Sequence, residues 1–83
     1  MPKVTVYGAD WCPLTTNARS LLDEQGVNYS YIDIDKDEKA AKWVRDHNGG
    51  KEKKPTIDVD GEVVTEPTNS ELQNLLRTKH ILG

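Results

Sequence analysis

Among the 83 residues there is one cysteine, Cys12, which stands between Trp11 and Pro13 with Thr15 three positions on. A thiol reacts as its thiolate, so the question is whether the neighbouring residues favour the anion. Pro13 suits the first turn of a helix, where its missing N–H costs nothing. Cys12 would then sit at the helix start, near unpaired N–H groups and the positive end of the helix dipole. Helix-start cysteines reach pKa values of about 3.5–7.5 instead of about 8.5. Pro13 also fixes a turn that points the sulfur outward, and Thr15 can offer it a hydroxyl. Asp10 opposes a second negative charge, but in an exposed loop solvent screens it. A lone cysteine in a small intracellular domain is ordinarily a buried, inert hydrophobe. Its place at a strand-to-helix elbow, flanked by polar Asp10 and Thr15, favours the reactive reading instead.

The elements that must position this thiol follow from periodicity. Lys3-Val4-Thr5-Val6-Tyr7, ending at Gly8, reads as a buried strand. Leu14, Ala18, Leu21 and Leu22 recur at helical spacing until Gly26, a helix stop. Tyr29 to Ile34 alternates loosely and gives a second strand. Asp35 to Asp37 opens a second helix, with Asp35 and Glu38 in capping-box relation and Ala40, Ala41, Trp43 and Val44 on its apolar side. Asn48-Gly49-Gly50 ends it, and Lys51-Glu52-Lys53-Lys54 reads as an exposed charged run. Pro55 to Val59 is a strand, Asp60-Gly61 a tight turn, and Glu62 to Thr65 its antiparallel return. Thr68 and Glu71 form another capping box before the stripe Leu72, Leu75 and Leu76. The order βαβαββα predicts an α/β sandwich of thioredoxin-like plan: a four-stranded mixed sheet with three helices on its faces.

Composition narrows the partners. The chain carries 11 Lys+Arg against 14 Asp+Glu, a net charge of -3, which argues against nucleic-acid binding. A chain this short buries only roughly 60–65% of its unfolded surface, so residues 1–83 are expected to form one domain with a thin core. One cysteine and two histidines exclude a disulfide framework and a cysteine-rich zinc site, and no metal site is expected. Asp33, Asp35 and Asp37 lack the glycine and terminal glutamate of a calcium loop. No apolar run approaches the roughly 20 residues of a membrane span. The strand-like start makes a signal peptide unexpected, and an unpaired cysteine fits a reducing compartment, so the expected location is cytoplasmic. Tyr29, Tyr31 and Trp43 read as packing residues; His47 and His80 lie near helix ends without evident catalytic partners.

Three ordered blocks carry a resemblance. Val6 to Thr15 resembles the active-site segment of the glutaredoxin family, in which a strand, a tyrosine and a short loop lead into Cys-Pro-x-Cys. His47-Asn48-Gly49-Gly50 with Lys54-Pro55-Thr56-Ile57 resembles the Asn-Gly-Gly and Val-Pro-Thr segments of its small bacterial, mycoredoxin-like members. Asp60-Gly61 with Thr65-Glu66-Pro67-Thr68 resembles their Asp-Gly and Thr-Asn-Pro-Ser segment. The likeness covers nearly the whole chain.

The resemblance implies a thiol–disulfide oxidoreductase serving redox homeostasis and electron transport. In it Cys12 is the nucleophile at a catalytic turn with Pro13 and Thr15, and Pro55 is the cis-proline opposite it. A proline at the first residue of a strand is the simpler reading of Pro55 without the resemblance. Trp11 would line the substrate groove or serve only as a half-buried structural residue. Thr68 and Asn69 would offer helix-start amides to the carboxylate of a thiol cosubstrate, or simply cap the helix.

Departures from the family pattern shape the expectation. Thr15 replaces the second cysteine, so a one-cysteine cycle is implied: Cys12 takes the glutathionyl group from a mixed disulfide and is freed by a second thiol. The basic residue that often precedes the motif is absent, and Lys53 and Lys54, next to Pro55, could supply that charge or belong to a solvated turn. The expected cosubstrate is glutathione or a similar low-molecular-weight thiol, with no tightly bound cofactor. The expected partners are thiol-modified proteins, a low-molecular-weight thiol or a reductase, met by a monomer. Two alternatives stand beside this. Relatives of Cys-Gly-Phe-Ser type hold a bridging iron–sulfur cluster, although here Pro13 and Leu14 replace the Gly and Phe. A redox-inactive domain could also retain the fold as an interaction module.

Overall fold

The computed structural model describes residues 3–81. Its elements run β1 (Val4–Gly8), α1 (Pro13–Glu24), β2 (Tyr29–Asp33), α2 (Glu38–His47), β3 (Thr56–Val59), β4 (Glu62–Thr65) and α3 (Asn69–Thr78). The sheet order is β2-β1-β3-β4, with β1 parallel to β2 and antiparallel to β3, and β3 antiparallel to β4. The thioredoxin-like α/β plan expected from the sequence is the one observed.

Alternation along β1 divides the core in two. Val4 and Val6 are fully buried against α1 and α3, together with Ile57, Val59, Leu22, Leu72 and Leu76. Tyr7 points to the opposite face, where Ala40, Ala41 and Val44 of α2 pack with Ile34 and Trp43. Trp43 stacks on Tyr7 at 4.3 Å between ring centres and packs on His47 at 3.9 Å. Truncating a fully buried leucine such as Leu22 to alanine should cost about 2–5 kcal/mol.

Local signals place the element ends. After α1, Gly26 takes a positive φ of 68° while its N–H bonds the Asp23 carbonyl and the Val27 N–H bonds that of Leu22, a Schellman closure. Asp60 and Gly61 both have positive φ, as a two-residue hairpin loop of mirror-image type requires. The α3 capping box forms as expected from Thr68 and Glu71.

Three expectations need correction. The residue that caps α2 is Asp37, whose carboxylate accepts from the Ala40 N–H at 3.0 Å; Asp35 is free for another task. β3 starts at Thr56, one residue after Pro55. Lys54 is not part of an exposed run, since its side chain keeps only 15% of its surface.

Candidate functional site

The end of β1 delivers the chain into a tight elbow. The Cys12 N–H bonds the Ala9 carbonyl at 3.1 Å, and the Cys12 carbonyl accepts the first helical bond from the Thr16 N–H at 3.0 Å. Cys12 is thus the N-cap residue of α1, in extended conformation, and Pro13 occupies the first helical position. Its sulfur meets the first-turn amides without a conventional capping bond.

The sulfur faces the loop before β3. Cys12 Sγ lies 3.8 Å from the Lys54 carbonyl oxygen, and the Lys54–Pro55 peptide bond is cis. Pro55 is buried, and its own carbonyl accepts from the Glu66 N–H at 2.8 Å, which ties the loop to the segment after β4. Cys12, Pro13, Trp11, Lys54 and Pro55 are therefore gathered around one sulfur. Cys12 is more enclosed than the sequence suggested: it keeps 7% of its surface, while Trp11 beside it is 68% exposed and Leu14 50%.

Burial of Cys12 pushes its thiol up, because a charge is costly away from water. The Thr15 N–H, the Thr15 hydroxyl, the Leu14 N–H and the Lys54 charge outweigh that effect and hold the thiol below its ordinary value. Thr15 itself is not a polar surface residue; it is 1% exposed, and its hydroxyl accepts from the Ala9 N–H at 3.4 Å. Gly8 makes room for it. A Cβ on Gly8 would lie 2.5 Å from both branches of the Thr15 side chain.

Asp10 is engaged by two other side chains. The Tyr31 hydroxyl donates to Asp10 Oδ1 at 2.7 Å, and Lys36 approaches Oδ2 at 3.8 Å. Burial and then the Asp10 carboxylate push the Tyr31 phenol well above its usual value, so it stays a donor. Arg19 lies 3.8 Å over the Tyr31 ring and donates to the Tyr29 hydroxyl at 3.3 Å. Tyr29 and Tyr31 are therefore more than packing residues.

Two residues that the sequence marks only as helix-end signals, or as part of the resemblance, have further tasks near Cys12. Asn48 donates to the Val44 carbonyl (2.8 Å) and the Thr56 hydroxyl (3.2 Å), and accepts from the Thr65 hydroxyl (2.6 Å). Thr56 in turn donates to the Lys53 carbonyl at 2.8 Å, so this network fastens the loop that carries Lys54. Asp35 links Trp11 to Lys54: Oδ2 accepts from Trp11 Nε1 at 2.7 Å, and Oδ1 lies 3.8 Å from Lys54 Nζ. The aromatic N–H of Trp11 was the available clue to a partner.

At the start of α3 the chain satisfies itself. The Thr68 hydroxyl accepts from the Glu71 N–H at 3.1 Å, and the Glu71 carboxylate accepts from the Thr68 N–H at 2.9 Å. Thr68 is fully used in capping, and Asn69 opens the helix beside it. Among the described residues no cluster of three or more metal-ligating side chains occurs, and no helix is long and apolar enough to cross a membrane.

The model of the Glutaredoxin family matches residues 4–64. Mycoredoxin 1 of Corynebacterium glutamicum is 40% identical over 73 residues, covering 87% of this chain and 90% of that protein. The solved thioredoxin-like protein BC3987 superposes with a TM-score of 0.78 at 31% identity, covering 89% of this chain and all of that one. A glutaredoxin from Archaeoglobus fulgidus gives a TM-score of 0.76 at 26% identity, over 93% of this chain and 88% of its own. Fold, family match and relatives agree, and the chain belongs to the glutaredoxin family, as a mycoredoxin-like member.

Proposed function

We propose that this protein is a one-cysteine thiol–disulfide oxidoreductase that acts through Cys12 on mixed disulfides of glutathione or another low-molecular-weight thiol. The observation that carries the reading is the Cys12 sulfur, set at the start of α1 and directed to the Lys54–Pro55 peptide, with its thiol held below the ordinary value. In the first step the Cys12 thiolate attacks the low-molecular-weight sulfur of the mixed disulfide. One S–S bond forms, one breaks, and the target thiol leaves as a thiolate that takes a proton from water. In the second step the thiolate of a second low-molecular-weight thiol attacks that same sulfur, freeing Cys12 and yielding the symmetric disulfide.

Thr15 holds the place of a second cysteine, so the chain has no internal thiol to resolve the intermediate. Its hydroxyl serves the first sulfur instead. Pro13 fixes the elbow, Trp11 and Lys54 wall the groove, and Pro55 shapes its floor. Thr68 caps α3 with its hydroxyl and N–H, and Asn69 beside it offers its helix-start amide to a cosubstrate carboxylate. The one-domain protein works as a monomer, in a reducing compartment such as the cytoplasm.

The test is turnover of a glutathione mixed disulfide with glutathione as the second thiol, in wild type and Cys12→Ser. Turnover in the wild type and none in the variant is expected. A silent wild type, or a variant that retains turnover, would overturn the reading.

A further inference from the structure

Asp35 joins the two walls of the groove. Its Oδ2 holds the indole N–H of Trp11, on the β1–α1 loop, at 2.7 Å. Its Oδ1 lies 3.8 Å from the ammonium of Lys54, on the loop before β3. That ammonium also sits 5.1 Å over the Trp11 ring, and the Lys54 side chain keeps only 15% of its surface. A lysine ordinarily extends into water; here a carboxylate and an aromatic face hold it at the mouth of the thiol groove. The Asp33 carboxylate accepts from the Asp35 N–H at 2.9 Å and so fixes the turn that presents Asp35.

We propose that Asp35 is a specificity-determining residue: by pairing with Lys54 it sets the charge preference of the Cys12 groove. Lys54 is the cation whose charge acts on the sulfur. Unpaired, it would attract any reactant with a carboxylate close to its reacting atom. Paired with Asp35, its charge is partly offset at the groove mouth, and an anionic reactant meets an intrachain carboxylate already in the place it would take. The native groove accordingly favours uncharged reactants over carboxylate-bearing ones, relative to the same groove without the Asp35 charge. Coulomb interactions across a few ångströms at a part-exposed site are large enough to change relative rates several-fold, and they are weakened by salt.

This inference rests on Cys12 as the reacting group, and its test does not require turnover. Iodoacetate and iodoacetamide are near-isosteric and differ by one negative charge. With either, the Cys12 thiolate forms an S–C bond and iodide leaves. The ratio of their rate constants cancels any change in thiolate population. Asp35→Asn keeps an oxygen to accept from Trp11 and removes only the charge, at a residue with 41% of its side chain exposed. The iodoacetate-to-iodoacetamide ratio is expected to rise about threefold in Asp35→Asn. The rise is expected to shrink at 1 M salt and to be at least halved in a Lys54→Gln background.

An unchanged ratio in Asp35→Asn, or an equal rise with and without Lys54, would overturn the proposal. If wild type reduced no mixed disulfide, the proposed function would fall, yet this ratio would still report whether Asp35 governs Lys54.

Discussion

Gly8 and Thr15 are in such close approach that a single methyl group on Gly8 would overlap the Thr15 side chain, at 2.5 Å from both its Oγ1 and its Cγ2. The last residue of β1 is thus shaped around the third residue of α1, and the threonine it admits is one of the groups that stabilise the Cys12 anion.

Replacing Gly8 by alanine should therefore force β1 and α1 apart. We expect a stability loss of about 1–3 kcal/mol in denaturant unfolding and a higher Cys12 alkylation midpoint. In a Thr15→Ala background the same change should cost less, because both clashing branches are gone. Equal costs in the two backgrounds would contradict the packing described.

Thr15 is tested directly by paired substitutions. Thr15→Ala removes the hydroxyl and should raise the alkylation midpoint, with about 1 kcal/mol of stability lost. Thr15→Ser keeps the hydroxyl and should keep the midpoint near that of wild type. A midpoint that follows volume instead of the hydroxyl would remove Thr15 from the anion's support.

The Tyr31 hydroxyl engages Asp10 through a 2.7 Å hydrogen bond. Tyr31→Phe should free the carboxylate and raise the Cys12 midpoint, whereas Asp10→Asn should not raise it. The double variant should behave like Asp10→Asn. If Tyr31→Phe left the midpoint unchanged, the hydrogen bond would have no bearing on the thiol.

Asn48 joins the end of α2 to β3 and β4 by three side-chain hydrogen bonds. Asn48→Ala should cost about 1–3 kcal/mol, since partners are left unsatisfied in a part-buried place. It should also slow Cys12 alkylation by loosening the loop that carries Lys54. A drop in stability with no change in rate would confine Asn48 to a purely structural role.

The parts of this molecule that were legible in the sequence are those decided within a few residues. Gly26 after α1, the Asp60-Gly61 turn and the Thr68–Glu71 capping box each carry their signal locally, and each formed as read. Cys12 at the head of α1 is of the same kind, because Pro13 announces the first turn. The second helix shows where local reasoning fails. Asp35 and Asp37 are both acceptable caps by type, and the choice was settled by Trp11, 24 positions away, which claims Asp35. For Lys54 the sequence leaves a solvated turn and a charge beside Pro55 both open, because the partners that decide it, Asp35 and Trp11, come from other loops. Thr15 reads from the sequence as a polar partner of the sulfur, whereas its burial against Gly8 comes from the approach of β1 and α1.

The most direct test of the central claim is the pH dependence of Cys12 alkylation by iodoacetamide in the native protein. A thiol lowered by folding has a thiolate stabilised relative to the unfolded chain. Stability should therefore rise with pH between the folded and the unfolded pKa, and be lost as pH falls through the folded value. The account predicts an alkylation midpoint below about 8.5, the free-thiol value, and a wild-type stability gain over that interval that is absent in Cys12→Ser. A midpoint at or above about 8.5, with no pH-dependent difference from Cys12→Ser, would contradict it.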